Sequence, residues 1–255
     1  MTDFSYQLYS SRKNPDLAET LSMLADLGYT QVEGYGALYA DEALVAALTD
    51  NLSKLGLYMP TAHFSLDMLA GEKDKVLGIA EAVGLRTIFC PHIGPELRPD
   101  SATGWQDFGA KLAEIGEPYR AAGLGFGWHN HDFEFHPTKH GVIPMEAILK
   151  GAPDLDWEAD IAWIIKGGGD PFEWIERHGD RIKAVHVKDI APEGECADED
   201  GWADVGQGTV DWKALFTALK GTAADYFVME HDNPNDPERF ARRSLEAAQS
   251  LKGAA

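Results

Sequence analysis

Basic residues are scarce in this chain: 22 Lys plus Arg stand against 42 Asp plus Glu, a formal net charge of −20 over 255 residues. Such a surface repels a phosphate backbone at long range, and without a basic stripe it excludes nucleic acid as the expected partner. A small anionic substrate is not excluded, because local fields can oppose the global one. Cysteine is scarcer still. Cys90 and Cys196 are too few for a disulfide framework, and neither belongs to a metal-binding Cys pair. No apolar run approaches the roughly 20 residues that span a bilayer, and Met1-Thr2-Asp3-Phe4-Ser5 lacks a charged and then apolar leader. A cytoplasmic protein with no membrane partner is therefore expected. No Gly-x-Gly-x-x-Gly turn follows the first strand-like segment, which removes the main sign of an open dinucleotide-binding sheet. Gly167-Gly168-Gly169 does not replace it, since it reads as a loop leading into a helix at Asp170-Pro171.

What the chain does have is an alternation of short β-prone runs and helical patterns. Strands are expected at Phe4–Tyr9, Thr30–Glu33, Leu57–Phe64 and Leu85–Cys90, then from Gly125, and at Leu155–Asp160, Ile182–Val187 and Tyr226–Glu230. Between them, apolar residues recur at helical spacing, as in Leu17, Leu21, Leu24, Ala25 and Leu27. Gly28, Gly56, Gly84 and Gly123 fall where helix C-caps belong before the next strand. About eight β-then-α units with no break in composition predict one domain over 1–255, a parallel sheet closed as a (β/α)8 TIM barrel. An open doubly wound sheet is the alternative. The segment from Ala191 to Thr209, rich in glycine and in Glu193, Glu195, Asp198, Glu199 and Asp200, reads as too polar to pack and as a mobile lid.

In such a barrel the strand C-termini build the active site. Here they carry Gln7, Glu33, His63, His92, His129 with His131, Asp160, His186 with Lys188, and Glu230 with His231. Period-2 alternation points His129 and His131 the same way, with Glu134 shortly after them. Two neutral imidazoles and a carboxylate at one strand end are suited to holding a divalent metal. Singly, each residue has an ordinary explanation: Glu33 as a solvated carboxylate, His92 as a loop cap after Pro91, Lys188 as a surface partner of Asp189. His129, Asp160, His186 and Glu230 ending four successive strands are harder to dismiss. Mixed imidazole and carboxylate ligands without thiolate suit Mn²⁺, Mg²⁺, Co²⁺ or Zn²⁺ and speak against a structural zinc site.

At these residues the chain resembles the xylose-isomerase-like TIM barrels of the sugar phosphate isomerase and epimerase family, along nearly its whole length. The resemblance is carried by His129-Asn130-His131-Asp132-Phe133-Glu134-Phe135, by Asp160-Ile161-Ala162-Trp163 with Gly169-Asp170-Pro171, and by His186-Val187-Lys188-Asp189. Gly206-Gln207-Gly208-Thr209-Val210-Asp211-Trp212 and Met229-Glu230-His231-Asp232 complete it. It implies a divalent metal, first of all Mn²⁺, at positions matching His129, Asp160, His186 and Glu230. In one respect the chain departs from the better-known epimerases: their fifth-strand Glu, a ligand and base, is here His129. A two-Glu proton exchange cannot be carried over intact, and the strand looks closer to dehydratase and keto-glycoside-cleaving branches.

The expected function is a metal-dependent isomerase or epimerase of a keto sugar or related polyol, working through an enediolate. Glu230 would be ligand and base, with His129, His131 or His63 acting on the opposite face. Gln7, Glu33, His63, His92, Lys188 and Trp163 would bind the small-molecule carbohydrate. The alternatives are a lyase or dehydratase acting on a 3-keto sugar, 3-keto glycoside or inosose, and a carbohydrate-binding barrel without turnover. Nothing in the sequence opposes a homo-oligomer.

Overall fold

Strands β1 (Phe4–Gln7), β2 (Gln31–Gly34), β3 (Tyr58–His63), β4 (Thr87–Cys90), β5 (Gly125–His129), β6 (Asp156–Asp160) and β7 (Ile182–Val187) follow in chain order. Two short strands, β8 (Asp189–Ile190) and β9 (Trp202–Ala203), come before β10 (Tyr226–Met229). In the computed structural model, which describes residues 3–254, eight of them close a barrel in the order β1-β10-β7-β6-β5-β4-β3-β2. Every neighbouring pair in the barrel is parallel. The closed (β/α)8 barrel expected from the alternation is thus the fold, and the open sheet is not.

The helices are α1 (Leu17–Leu27), α2 (Glu42–Leu55), α3 (Leu66–Gly71), α4 (Lys73–Val83), α5 (Ala102–Ala121), α6 (Pro144–Gly151), α7 (Ile161–Lys166), α8 (Pro171–His178), α9 (Trp212–Leu219) and α10 (Pro237–Gly253). Most begin on a side chain that accepts from the first turn: Asp16 from the Glu19 amide, Asp41 from Leu44, Ser101 from Gly104 and Asp236 from Arg239. They end as the sequence suggests. Gly28, Gly56 and Gly84 adopt φ of 95°, 67° and 79°, the left-handed region in which a side chain is strained. Helices α3 and α7 go beyond the sequence pattern, because six residues are too few for a 3.6-residue period to show. The first strand also stops at Gln7, after which Leu8–Ser11 forms a 3-10 turn.

Alternation sets what each strand buries and where. On β5, Phe126 stacks on Tyr119 of α5 and Trp128 meets Phe108 edge-on at 5.3 Å, so these residues face outward into the barrel–helix layer. Gly127 and His129 face the interior. A Cβ on Gly127 would lie 2.6 Å from the Phe89 ring, so only glycine lets that ring fill the barrel beneath His129. On β6, Trp157 and Ala159 face outward while Glu158 and Asp160 face inward, all of them buried. The apolar core therefore lies outside the barrel, and a polar cluster occupies its C-terminal interior.

The segment from 191 to 209 corrects the expectation that it is too polar to pack. Its carboxylates Glu193, Glu195, Asp198 and Asp200 are exposed, but Trp202, Ala203 and Val205 are buried. Strand β9 within it pairs antiparallel with β8 just before it, Asp189 against Ala203 and Ile190 against Trp202. Among the described residues no helix is long and apolar enough to cross a membrane.

Candidate metal centre and active site

Strand geometry brings seven ligand-type side chains together at the C-terminal end of the barrel. Glu158 lies at their centre. Its Oε2 is 2.5 Å from His63 Nε2, 3.1 Å from His129 Nδ1 and 3.4 Å from His186 Nε2. Glu33 Oε1 joins them at 2.8 Å from His186 Nε2 and 3.3 Å from His63 Nε2, and also accepts from Gln7 Nε2 at 2.8 Å. On its other edge, His186 Nδ1 stands 3.3 Å from Glu230 Oε2 and 3.7 Å from Asp160 Oδ2. His186 therefore bridges an inner group of His63, His129, Glu158 and His186 and an outer group of Asp160, His186 and Glu230; in each, the ligand atoms lie within 4.8 Å of one another.

The cluster fits a divalent cation by its donors and by what they lack. Ligands sharing one ion at about 2.1 Å stand roughly 3.0–3.4 Å apart, the spacing of several of these contacts. Glu33 Oε2, His129 Nδ1, Glu158 Oε1, Asp160 Oδ2 and His186 Nδ1 are buried without a hydrogen-bond partner. Buried polar atoms are rarely left so. Burial, then the neighbouring His186, lowers His129 to about 3, so its imidazole is neutral and has one ring nitrogen with a lone pair for a metal. Burial alone would lower His186, but Glu158, Glu230 and Glu33 together raise it well above its ordinary value.

Each of these residues is aimed by a neighbour. Asp160 caps α7, its Oδ1 accepting from the Trp163 amide at 2.9 Å, which leaves Oδ2 turned toward His186 and Lys188. Asn130 is fully buried between β5 and β6. Its Oδ1 accepts from Trp157 Nε1 at 2.8 Å and from the Asp160 amide at 3.0 Å. Lys188 is also fully buried, and not a surface partner of Asp189. Its Nζ is 2.5 Å from Asp232, 2.9 Å from Glu230 and 3.7 Å from Asp160. Burial disfavours that ammonium, but the three carboxylates outweigh it and hold its pKa above the usual lysine value. Burial would also raise Glu230, yet Lys188 and His186 keep it well below the ordinary carboxylate range.

A cavity of about 490 Å³ opens above the cluster, lined by Gln7, His63, His92, His129, His131 and Glu230, with Tyr9, Tyr35 and Asp232. Glu33 and Lys188 lie beneath this lining with no exposed surface. Trp163 stands behind it, 5.6 Å from the His131 ring and 4.8 Å from the buried Trp202. His92 meets His131 edge-on at 5.5 Å. His231, at the end of β10, turns away: its Nδ1 accepts from the Asn233 amide and its ring packs on Phe240.

Of the four ligands expected from sequence, His129 falls in the inner group, Asp160 and Glu230 in the outer, and His186 in both. Strand β5 ends at His129, so His131 comes from the following turn. Glu134 does not join the cluster, because both of its oxygens are already used. They accept from Trp128 Nε1 and from the His131 amide, each at 2.9 Å. Reasoning from strand ends missed Glu158 and Asp232. The signal for Glu158 was present, since it precedes Asp160 by two residues and so shares its face. Asp232 lies beyond the strand, where no period applies.

This fold and this polar barrel mouth define a class. Residues 21–251 match the xylose isomerase-like TIM barrel family, and the chain belongs to it. Among curated proteins it is 26% identical over 177 residues to the rhizopine catabolism protein MocC of Rhizobium meliloti, a match covering 63% of this chain and 53% of that protein. The chain thus aligns with about half the length of that relative. Among solved structures, it superposes on a sugar phosphate isomerase/epimerase from Parabacteroides distasonis ATCC 8503 with a TM-score of 0.79 at 20% identity, covering 98% of this chain and 95% of that one. The IOLI protein, whose structure contains a bound zinc atom, gives a TM-score of 0.72 at 16% identity over 99% and 98%. At such identities the likeness is one of fold.

Proposed function

We propose that this protein is a divalent-metal-dependent enzyme that isomerises or epimerises a keto sugar or related polyol through an enediolate. The observation that carries this reading is the convergence of imidazoles and carboxylates from separate strands beneath one sugar-sized cavity. A divalent cation held in the cluster around His186, to which His129, Asp160 and Glu230 belong, supplies Lewis-acid stabilisation of charge developing on a carbonyl oxygen. Mn²⁺ is the first choice, with Mg²⁺, Co²⁺ and Zn²⁺ open to the same donors.

Glu230 removes the proton next to the carbonyl. It lines the cavity and is held ionised beside Lys188, whose ammonium keeps its carboxylate in place. His63, His129 and His131 line the same cavity. Burial would deprotonate His63, but Glu158 and Glu33 keep its pKa raised. It gives its own proton to the neighbouring carbon, while Glu230 keeps the one it removed until solvent resets both. Gln7 and His92 offer hydrogen bonds to sugar hydroxyls, and Trp163, behind His131, backs the apolar side of the site.

A second reading is favoured by His129 itself. With an imidazole where a second carboxylate would complete a symmetric exchange, and with His63 as the proton donor to a departing oxygen, the same enolisation becomes an elimination. A 3-keto sugar, 3-keto glycoside or inosose would then lose water or an aglycone.

The test is exchange of the substrate α-proton in deuterated water, followed by NMR over a panel of keto sugars and 3-keto glycosides. Exchange with conserved mass supports isomerisation, and loss of water or aglycone supports elimination. Exchange with no member of the panel would favour a binding barrel without turnover. Glu230→Gln should slow exchange by roughly 10²–10⁴-fold. A variant exchanging at the wild-type rate would remove Glu230 as the base.

A further inference from the structure

Behind the His92 wall of the cavity, the loop after β4 carries an arginine that the chemistry above leaves unused. Arg98 is anchored three times. Its Nε donates to the Ile93 carbonyl at 3.2 Å, and its guanidinium carbon lies over the Phe133 ring, 3.6 Å from the ring centre. Its Nη2 stands 3.1 Å from His92 Nε2. Phe133 is backed in turn by the buried Trp105, whose ring stacks on it at 6.2 Å. A planar guanidinium held by its Nε–H and by an aromatic face has little freedom to aim its remaining donors elsewhere.

The contact with His92 allows one assignment of protons. Arginine offers five N–H donors and no acceptor, and it keeps its proton. His92 Nε2 must therefore accept. A neutral imidazole that accepts on one nitrogen carries its hydrogen on the other. Burial, then Arg98, lower the pKa of His92, with Glu96 of the same loop opposing them, so the ring is neutral. From the turn after β5, His131 and Phe133 meet it edge-on at 5.5 and 6.0 Å. Among the described residues Nδ1 has no protein partner, and His92 lines the cavity, so Nδ1–H is what it offers there.

We propose that Arg98 is a positioning residue that locks His92 in the Nδ1–H form, so that His92 meets a substrate as a fixed hydrogen-bond donor. The group it recognises is an oxygen acceptor: a carbonyl, ring or hydroxyl oxygen. His92 then takes no part in moving protons, unlike its neighbours in the cavity. A protonated amine in the same place would face a donor backed by a guanidinium and is rejected. The consequence for turnover rests on the enzyme reading above and deepens it, whereas the lock on the tautomer stands apart from that reading.

The test is nitrogen-15 NMR of the full chain labelled at histidine, stripped with chelator and held at neutral pH, with the His92 signals identified by their loss in His92→Gln. Wild type should show the His92 proton on Nδ1. Arg98→Met keeps an apolar stem beside Phe133 and has no donor, so His92 should shift largely to the Nε2–H form. Arg98→Lys restores a charged donor without the planar fork and should recover part of the Nδ1–H form. On the keto sugar of the panel that exchanges its α-proton fastest, Arg98→Met should raise KM by roughly 5–10-fold, the loss of one hydrogen bond. It should leave kcat within about 2-fold, as for binding that substrate and transition state share.

A wild-type His92 protonated on Nε2 would overturn the lock, and so would a tautomer unchanged in Arg98→Met. If Arg98→Met fails to fold by circular dichroism, the wild-type tautomer and Arg98→Lys decide. An unchanged KM, or a fall in kcat at constant KM, would overturn the recognition role, since an arginine that only packs the loop would alter neither the tautomer nor KM alone. If no keto sugar exchanges in wild type, the enzyme reading falls and with it the role in turnover, while the NMR still decides the lock.

Discussion

Glu134 shows how a ligand-type residue can be committed to structure. Its two oxygens tie the indole of Trp128, on the outer face of β5, to the amide of His131, and so hold the turn that carries His131 into the cavity. The side chain is fully buried, and burial outweighs its two donors to push its pKa from 4.5 up to about 8. Between these values the folded chain binds the proton and the unfolded chain has lost it. The stability this carboxyl contributes is therefore full below about 4.5 and is lost as pH rises through about 8. Urea unfolding of wild type and Glu134→Gln should show a stability difference that shifts against wild type from pH 5 to pH 8. A difference that stays flat would mean the group titrates alike in both states.

Among the elements, the stretch between β7 and α9 is the most instructive. Asp189 organises it, its carboxylate accepting from the amides of Ile190, Gly206, Gly208 and Val210 at 2.8–3.2 Å. A Cβ on Gly208 would lie 2.2 Å from Asp189 Oδ1, so the loop can close on the carboxylate only with glycine there. Farther along, Arg239 of α10 bonds Glu199 at 2.8 Å and Asp204 at 3.0 Å. These bonds keep Trp202 against Trp163 and Lys188. Amides of residues 202–210 should therefore be protected from exchange even without sugar, while those of 193–198 exchange fast. Asp189→Ala leaves four donors without their acceptor and should cost on the order of 3 kcal/mol. Hydrogen exchange read by mass spectrometry checks the protection pattern, and urea unfolding of the variant checks the cost. Equal exchange rates across 193–210 would show the segment to be unanchored.

At the scale of the whole molecule, the cluster stitches the barrel together, because Glu33, His63, His129, Glu158 and His186 come from β2, β3, β5, β6 and β7. A cation binding these residues only when the barrel is closed stabilises the folded state by mass action. The gain is about 2.7 kcal/mol at 100 times the dissociation constant. For a chain of this length, saturating Co²⁺ should raise the melting midpoint by roughly 5 °C, and a chelator should reverse it. A midpoint indifferent to both would mean that no ion binds preferentially to the folded chain. His186, common to both ligand groups, offers a control: His186→Ala should lose the Co²⁺ response.

The amino-acid sequence determined the barrel, because helix caps, left-handed glycines and strand alternation are local properties repeated through the chain. It also determined which ligand-type side chains converge, since side chains at the ends of parallel strands must meet at one mouth. His129, Asp160, His186 and Glu230 were legible in that way, and so was Lys188 as a member of the site. Their grouping was not. Whether His186 turns Nε2 toward Glu33 or Nδ1 toward Glu230, whether Lys188 is buried, and which oxygens Asn130 and Glu134 spend on neighbours all depend on contacts between strands far apart in sequence. The packing of Trp202 beneath an acidic stretch is of the same kind. Only the closed barrel brings those groups within a few ångströms, where burial and charge decide which atoms are satisfied and which remain free for an ion or a substrate.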